Sequence, residues 1–290
     1  MKIVVIGATG NIGTSVLAAL AADGRADEIV AVARRAPGAL PGGARFLAAD
    51  IARDDLAPIV AGADAVILLA WLIQPGRDES ITHAVNVRGS ERVFAAVAAA
   101  GVPALVYSSS VGAYSPGPKD RAVDERWPTD GIPTSFYARH KAAVERRFQA
   151  VHSLDLGRAF ARAATGNARG AFNVAADPVI GAAELAGLLH ARVVKLPVAP
   201  VRALAAASYA LRLQPSEPGW LDMALAVPIM DTTRARGELG WAPQHTSLEA
   251  FAELLEGLRS GADFASPPLA RATSGPGRIR EFLTGIGARP

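Results

Sequence analysis

The stretch Gly7-Ala8-Thr9-Gly10-Asn11-Ile12-Gly13 follows the β-branched run Ile3–Ile6 and opens the alanine-rich stretch Asn11–Ala22. Gly7 permits a tight turn out of a strand. Gly10 lets the backbone approach a bound group, and Gly13 lets the helix pack close to the strand. Free N–H groups at a helix start, with the positive end of the helix dipole, favour a pyrophosphate. Such a loop requires a strand before it and a helix after it, so the chain opens with a β–α unit.

The alternation continues. Glu28–Ala33, Ala44–Ala48, Ala65–Ala70 and Ala104–Ser108 read as strands. A short helix near Asp54–Val60 and a long one over Ser80–Ala100 separate them. The apolar strands lack polar alternation, as expected when both faces are buried. Strand and helix at this spacing predict a doubly wound parallel sheet of the α/β class. A Pro- and Gly-rich loop, Ser115 to Pro133, precedes a helix expected over Thr134–Val151, with Thr134 or Ser135 as its N-cap. Gly170–Ala175 reads as a further strand. Beyond residue 178 the pattern turns mainly helical and is broken by prolines. The expected division is 1–178 for a nucleotide-binding domain and 179–290 for a smaller substrate-side helical region, with a flexible tail from Ser260.

Composition removes several classes. With no cysteine there is no disulfide scaffold, cysteine-ligated metal or thiol nucleophile. The five histidines lack metal-ligand spacing, so no metal is expected. A net charge of +3 is too small to argue for nucleic acid. The longest strongly apolar stretch, Ala65 to Ile73, is far short of the ~18–20 residues that span a bilayer. The N-terminal apolar run is interrupted by Gly7 before it reaches signal-peptide length. A cytoplasmic protein without membrane contact is the expectation.

Four further features suggest chemistry. The second strand ends in Val32-Ala33-Arg34-Arg35, with no acid to bind a ribose 2′-hydroxyl, and a guanidinium suits a 2′-phosphate. NADP is therefore favoured over NAD. Asp50, after the third strand, can accept a hydrogen bond from an adenine amino group or cap the next segment. Tyr137 and Lys141 lie four residues apart, on one face of the expected helix. Lowering a phenol by three pH units needs about 4 kcal/mol. One ammonium ~4 Å away supplies that order of energy at an effective dielectric of 20. Tyr137 can then act as an acid/base. Ser108-Ser109-Ser110, at a strand's carboxyl end, can steady a substrate oxygen.

Together these residues resemble the extended short-chain dehydrogenase/reductase superfamily, specifically its NAD-dependent epimerase/dehydratase family. The matching segments run in the family's order. They are Gly7–Gly13, Asp50-Ile51, Leu69-Ala70, Asn86-Val87-Arg88-Gly89, and Ser108–Ser110 with Tyr114. Tyr137 and Lys141, Phe172-Asn173-Val174 and Arg234–Pro243 follow. The resemblance implies a Rossmann-type sheet and hydride transfer at a nicotinamide. It assigns Tyr137 as proton donor or acceptor, Lys141 as ribose ligand and Ser110 as catalytic serine. Gly7, Thr9, Gly10, Asn11, Ile12, Gly13, Arg34, Arg35, Asp50, Ile51, Leu69, Ala70 and Asn86 would line the dinucleotide. The alanine-rich helix Ser90–Ala100 reads as core or a dimer face, and the resemblance implies dimerisation through helices of this part of the fold. Trp71 stands where the family usually has a small residue near the cofactor, where it narrows the substrate site or fills core.

One departure stands out. Lys141 and His152 are only 11 residues apart, and Ala142–Ala168 holds no β-branched run. A central strand of the family pattern, with part of the substrate pocket, is expected to be missing. The expected activity is an NAD(P)-dependent oxidoreductase acting on a carbonyl or secondary alcohol, including that of a nucleotide sugar. Two alternatives stay open: a sugar epimerase or dehydratase with tightly held NAD, and a non-catalytic NADP(H)-binding sensor.

Overall fold

A computed structural model describes residues 1–73, 79–144, 152–194, 196–211, 213–214 and 216–262. Strands β1 (Lys2–Ile6), β2 (Glu28–Ala33), β3 (Arg45–Ala48), β4 (Ala65–Leu68) and β5 (Ala104–Tyr107) form a parallel sheet in the order β3-β2-β1-β4-β5. Helices α1 (Asn11–Asp23), α2 (Ala57–Val60), α3 (Glu79–His83) and α4 (Ser90–Ala99) lie in the connections. Val4 pairs with Val30 on one side and Val66 on the other, so β1 is central.

The uniformly apolar strands are explained by their two covered faces. Successive side chains point to opposite sides of a sheet. Ile3, Val5, Ala31 and Ile67 pack with Val16, Leu17 and Leu20 of α1, and with Leu156 and Phe160 of a later helix. Val4, Ile6, Val30, Val66 and Leu68 pack on the other face with Ile59, Val60, Val93 and Val97. Full burial of each Val, Ile or Leu side chain stabilises by about 1.5–3 kcal/mol before entropy is counted.

The remaining elements are β6 (Ala122–Val123), α5 (Phe136–Val144), α6 (Ser153–Thr165), α7 (Ala182–Leu189) and α8 (Val198–Ala210). They are followed by α9 (Gly219–Ala226), β7 (Ile229–Met230), α10 (Thr233–Gly237) and α11 (Ser247–Ser260). β6 and β7 pair in parallel as a separate small sheet. The segment after β7 returns to the main core. Trp241 is buried and donates its indole N–H to Asp155 O at 2.8 Å. Arg234 binds Glu238 and the carbonyls of Ala171 and Arg169, with its guanidinium 4.5 Å above Phe172.

Several expectations are corrected. The long helix over Ser80–Ala100 contains a π-helical segment, Ala84–Gly89, between α3 and α4. The helix expected over Thr134–Val151 starts at Phe136 and is described to Val144. Ser135 Oγ accepts the Ala138 N–H at 3.4 Å near its start. Residues 145–151 lie outside the described ones, as does the tail from 263. Gly170–Ala175 is not a strand, because among the described residues no ladder neighbour stands beside it. Among the described residues β5 pairs only with β4. Beyond β5 lies an apolar groove of about 480 Å³ lined by Phe94, Val106, Phe160, Ala163 and Phe172. Among the described residues the sheet therefore stops at β5, and Gly170–Ala175 has no ladder partner there.

Candidate active site

The phosphate loop has the geometry its sequence demands. Gly7 has φ +89°, and a Cβ there would lie 2.6 Å from Ala70 N. A Cβ on Gly13 would lie 2.4 Å from Gly7 O. At Gly10 the nearest atom would be 3.5 Å away, an ordinary contact, so this side of the loop is open. Gly10 is also the N-cap of α1 and supplies no side-chain acceptor. The first N–H groups of the helix, at Asn11, Ile12 and Gly13, thus have no side-chain cap, which suits an anion. This cradle fits a dinucleotide pyrophosphate.

Around it, Thr9 is buried, Arg34 is exposed and Arg35 is half-buried just past the end of β2. Gly7 and Ala8 N–H both donate to Val32 O, which places the two arginines near the loop. Asp50 closes a turn rather than capping α2, since its Oδ1 accepts the Ala52 N–H at 2.9 Å and the N-cap of α2 is Leu56. Ile51 is buried, and Leu69 and Ala70 are packed against Gly7. Asn86 is also fully buried, but its amide is used within the protein. Its Oδ1 accepts the Leu72 N–H at 2.8 Å and its Nδ2 donates to Leu72 O at 2.9 Å. It therefore pins the loop after β4, which accounts for its burial without a cofactor contact.

The serine, tyrosine and lysine meet at the carboxyl end of β5. Ser110 Oγ accepts the Gly112 N–H at 3.1 Å and is hydrogen-bonded to the Tyr137 phenol. Gly112 allows this approach, because a Cβ there would lie 3.2 Å from the Tyr137 ring. Lys141 is 3% exposed and donates to Ser108 O at 2.9 Å and to the Tyr107 hydroxyl at 3.4 Å. Its ammonium also sits 3.5 Å from the Trp71 ring centroid. Burial pushes the Lys141 ammonium well below the usual lysine range.

Lys141 is not among the groups that shift the Tyr137 phenol in the protein alone. Burial raises the phenol above its ordinary value, and the hydrogen bond with Ser110 opposes that rise. The physical reason is that the ammonium is itself desolvated and directed at Ser108 O rather than at the phenol.

Sequence reasoning missed a second wall of the site. Trp220 packs on Tyr137 at 5.3 Å between ring centroids, and Trp71 meets it edge-on at 6.3 Å. α9 reaches this position because Gly219 abuts the Thr134 backbone, and Glu217 accepts the Phe136 N–H at 2.8 Å. No local signal marks Trp220, since 83 residues of chain separate it from Tyr137. The fold also gathers His152, Asp155 and His245, whose potential ligand atoms lie within 4.8 Å of one another. These atoms serve packing. Asp155 accepts the Gln244 and His245 N–H groups and pairs with Arg158, and His152 Nδ1 accepts the Leu154 N–H.

A nucleotide cradle at the start of a parallel sheet, with a Ser–Tyr–Lys group at the carboxyl end of its edge strand, defines a dinucleotide-dependent fold class. The profile of the NAD dependent epimerase/dehydratase family matches residues 3–179, and the chain belongs to that family. It is 35% identical over 159 residues to the dTDP-6-deoxy-L-talose 4-dehydrogenase (NAD(P)(+)) of Kitasatospora kifunensis, covering 52% of this chain and 48% of that protein. It is 38% identical over 112 residues to an uncharacterized protein of Mycobacterium tuberculosis, covering 38% of this chain and 12% of that one. The chain thus spans about half or less of these relatives. Its fold is similar to that of DesIV, a dTDP-glucose 4,6-dehydratase from Streptomyces venezuelae with NAD and TYD bound. The TM-score is 0.67 at 20% identity, over 90% of this chain and 97% of that chain. Among the described residues no helix is long and apolar enough to cross a membrane.

Proposed function

We propose that this protein is an NAD(P)-dependent oxidoreductase acting on a secondary alcohol or carbonyl of a nucleotide sugar. The observation that carries the reading is the convergence of Ser110, Tyr137 and Lys141, joined through Trp71 and Ala70 to the open side of the glycine loop. The Kitasatospora relative is named for the same chemistry on a nucleotide sugar.

A bound nicotinamide supplies the hydride donor or acceptor. The protein's own part is proton handling and charge. Tyr137 exchanges a proton with the substrate oxygen, and Ser110 holds that oxygen by a hydrogen bond. Lys141 provides the positive charge that favours the phenolate and has donors to spare for a ribose hydroxyl. The first-turn N–H groups of α1 would hold the pyrophosphate, and Arg34 and Arg35, just past the end of β2, would suit a 2′-phosphate, which favours NADP. A homodimer through α4 is part of the same reading, checked by light scattering.

The test is titration with NADPH and NADH, repeated on Arg34→Ala, followed by turnover on a panel of nucleotide sugars. NADPH is expected to bind more tightly and to lose that advantage in the variant. Tyr137→Phe is expected to lower kcat by about 10²–10⁴. A second reading, nucleotide binding without turnover, is favoured by the unpaired outer edge of β5 and the raised phenol. Tight binding with no activity on any substrate, unchanged by Tyr137→Phe, decides for it.

A further inference from the structure

Lys141 is buried, yet no carboxylate among the described residues pairs with it. The charged groups on neighbouring elements are engaged elsewhere or face solvent. Glu79 of α3 binds Arg139 and His140, and His83 packs on His140. Arg88 of the π-helical segment is exposed. Glu217 takes the Phe136 N–H and Asp222 pairs with Arg202. What faces the ammonium besides Ser108 O and the Tyr107 hydroxyl is aromatic: the Trp71 ring at 3.5 Å and the Tyr107 ring at 5.2 Å, with Tyr137 edge-on to Trp71. A cation over an indole face is attracted by the ring quadrupole, most strongly when both are desolvated. Trp71 is also held in place, because its neighbour Leu72 is gripped at both backbone groups by Asn86. The π-helical segment therefore sets Asn86, Asn86 sets Leu72, and Leu72 fixes where the indole stands.

We propose that Trp71 is a positioning residue for the active-site lysine. Its indole face does for the Lys141 ammonium what a buried carboxylate would otherwise do, holding it charged and in place beside Tyr137. For the reaction this rests on the oxidoreductase reading above; for the lysine itself it does not.

The experiment has two arms. In the first, the protein is produced with [13Cε]lysine and the four lysine signals are followed by NMR against pH, with Lys141→Met assigning the signal of interest. Trp71→Leu removes the π face while keeping an apolar side chain and is expected to lower the Lys141 midpoint by about one pH unit, a tenfold change in acidity. Trp71→Phe keeps a weaker face and is expected to shift it by less. In the second arm, kcat for alcohol oxidation is measured against pH. A lysine that loses its proton earlier leaves the phenolate less favoured, so the rising limb moves to higher pH while KM changes less than kcat. An unmoved Lys141 midpoint in Trp71→Leu overturns the proposal. If that variant does not fold, an unmoved midpoint in Trp71→Phe does the same. A shifted midpoint in a protein that turns over nothing upholds the placement of Trp71 and sinks only the oxidoreductase reading.

Discussion

The sheet and the helices after residue 181 are both rich in apolar side chains, but they use them differently. Ile3, Val4, Val5 and Ile6 are at most 1% exposed, and all of β4 is buried. α7 and α8 contain no buried residue, and Leu204, Leu211 and Leu213 are each 70–71% exposed. Apolar content does not by itself make a core. A strand in the middle of a parallel sheet receives neighbours on both edges and helices on both faces. A helix at the periphery buries only the stripe that something else covers. β5 stands between these cases: it lies in the same sheet as β4, yet Leu105 is exposed and the groove beside it is open.

This contrast can be broken or sharpened by mutation. The largest effect is expected at Ile67, 0% exposed in β4, where Ile67→Ala leaves a cavity the sheet cannot close. A loss of about 2–5 kcal/mol in urea unfolding is expected. A value under 1 kcal/mol would mean that the sheet core is looser than its packing indicates. Trp241→Phe is next. It removes the donor to Asp155 O and part of a ring buried between the late segment and α6. About 1–3 kcal/mol is expected, which measures how firmly residues beyond 230 belong to the nucleotide-binding core.

A smaller effect should appear as a pH dependence. Burial lowers the pKa of His140, ahead of the opposing attraction of Glu79 3.1 Å away. A histidine depressed in the folded state binds its proton more readily when unfolded. Its contribution is thus fully present above the unfolded value near 6.5 and is lost as pH falls toward the folded value. Melting curves should therefore fall below about pH 6.5 in the parent and flatten in His140→Gln; parallel curves would show that the titration lies elsewhere. The smallest effect is expected at the periphery. Leu204→Ser should change stability by no more than about 0.5 kcal/mol. A larger loss would show that α8 is covered in solution, and the difference between the two regions would then be one of partners rather than position.

Much of the nucleotide half is legible in the sequence because its rules are local. A strand, three spaced glycines and a helix restrict the backbone so tightly that Gly7 and Gly13 meet atoms which would exclude any side chain. The Tyr137–Lys141 spacing likewise places both residues on one helix. What the lysine does there was not legible. Its expected effect on the phenol depends on what surrounds the ammonium, and Trp71 and Ser108 O come from other elements. Asn86 was recognised as a site residue, but its partner, Leu72, emerges only once the loop after β4 folds back on the π-helical segment.

The short connection between Lys141 and His152 was visible as an absence of strand-forming residues. That Gly170–Ala175 would not be a strand was not visible. That segment has the composition of a strand, but a strand exists only when a neighbour supplies hydrogen-bonding groups. The sequence alone determined the parallel sheet, the phosphate loop and the placement of Tyr137 and Lys141 on one helix. Tertiary structure decided the aromatic surroundings of the lysine, the wall built by Trp220 and the edge at which the sheet ends. The reason is range: turns, helices and strand pleats are fixed by neighbours along the chain. Charge stabilisation and ladder pairing are fixed by neighbours in space.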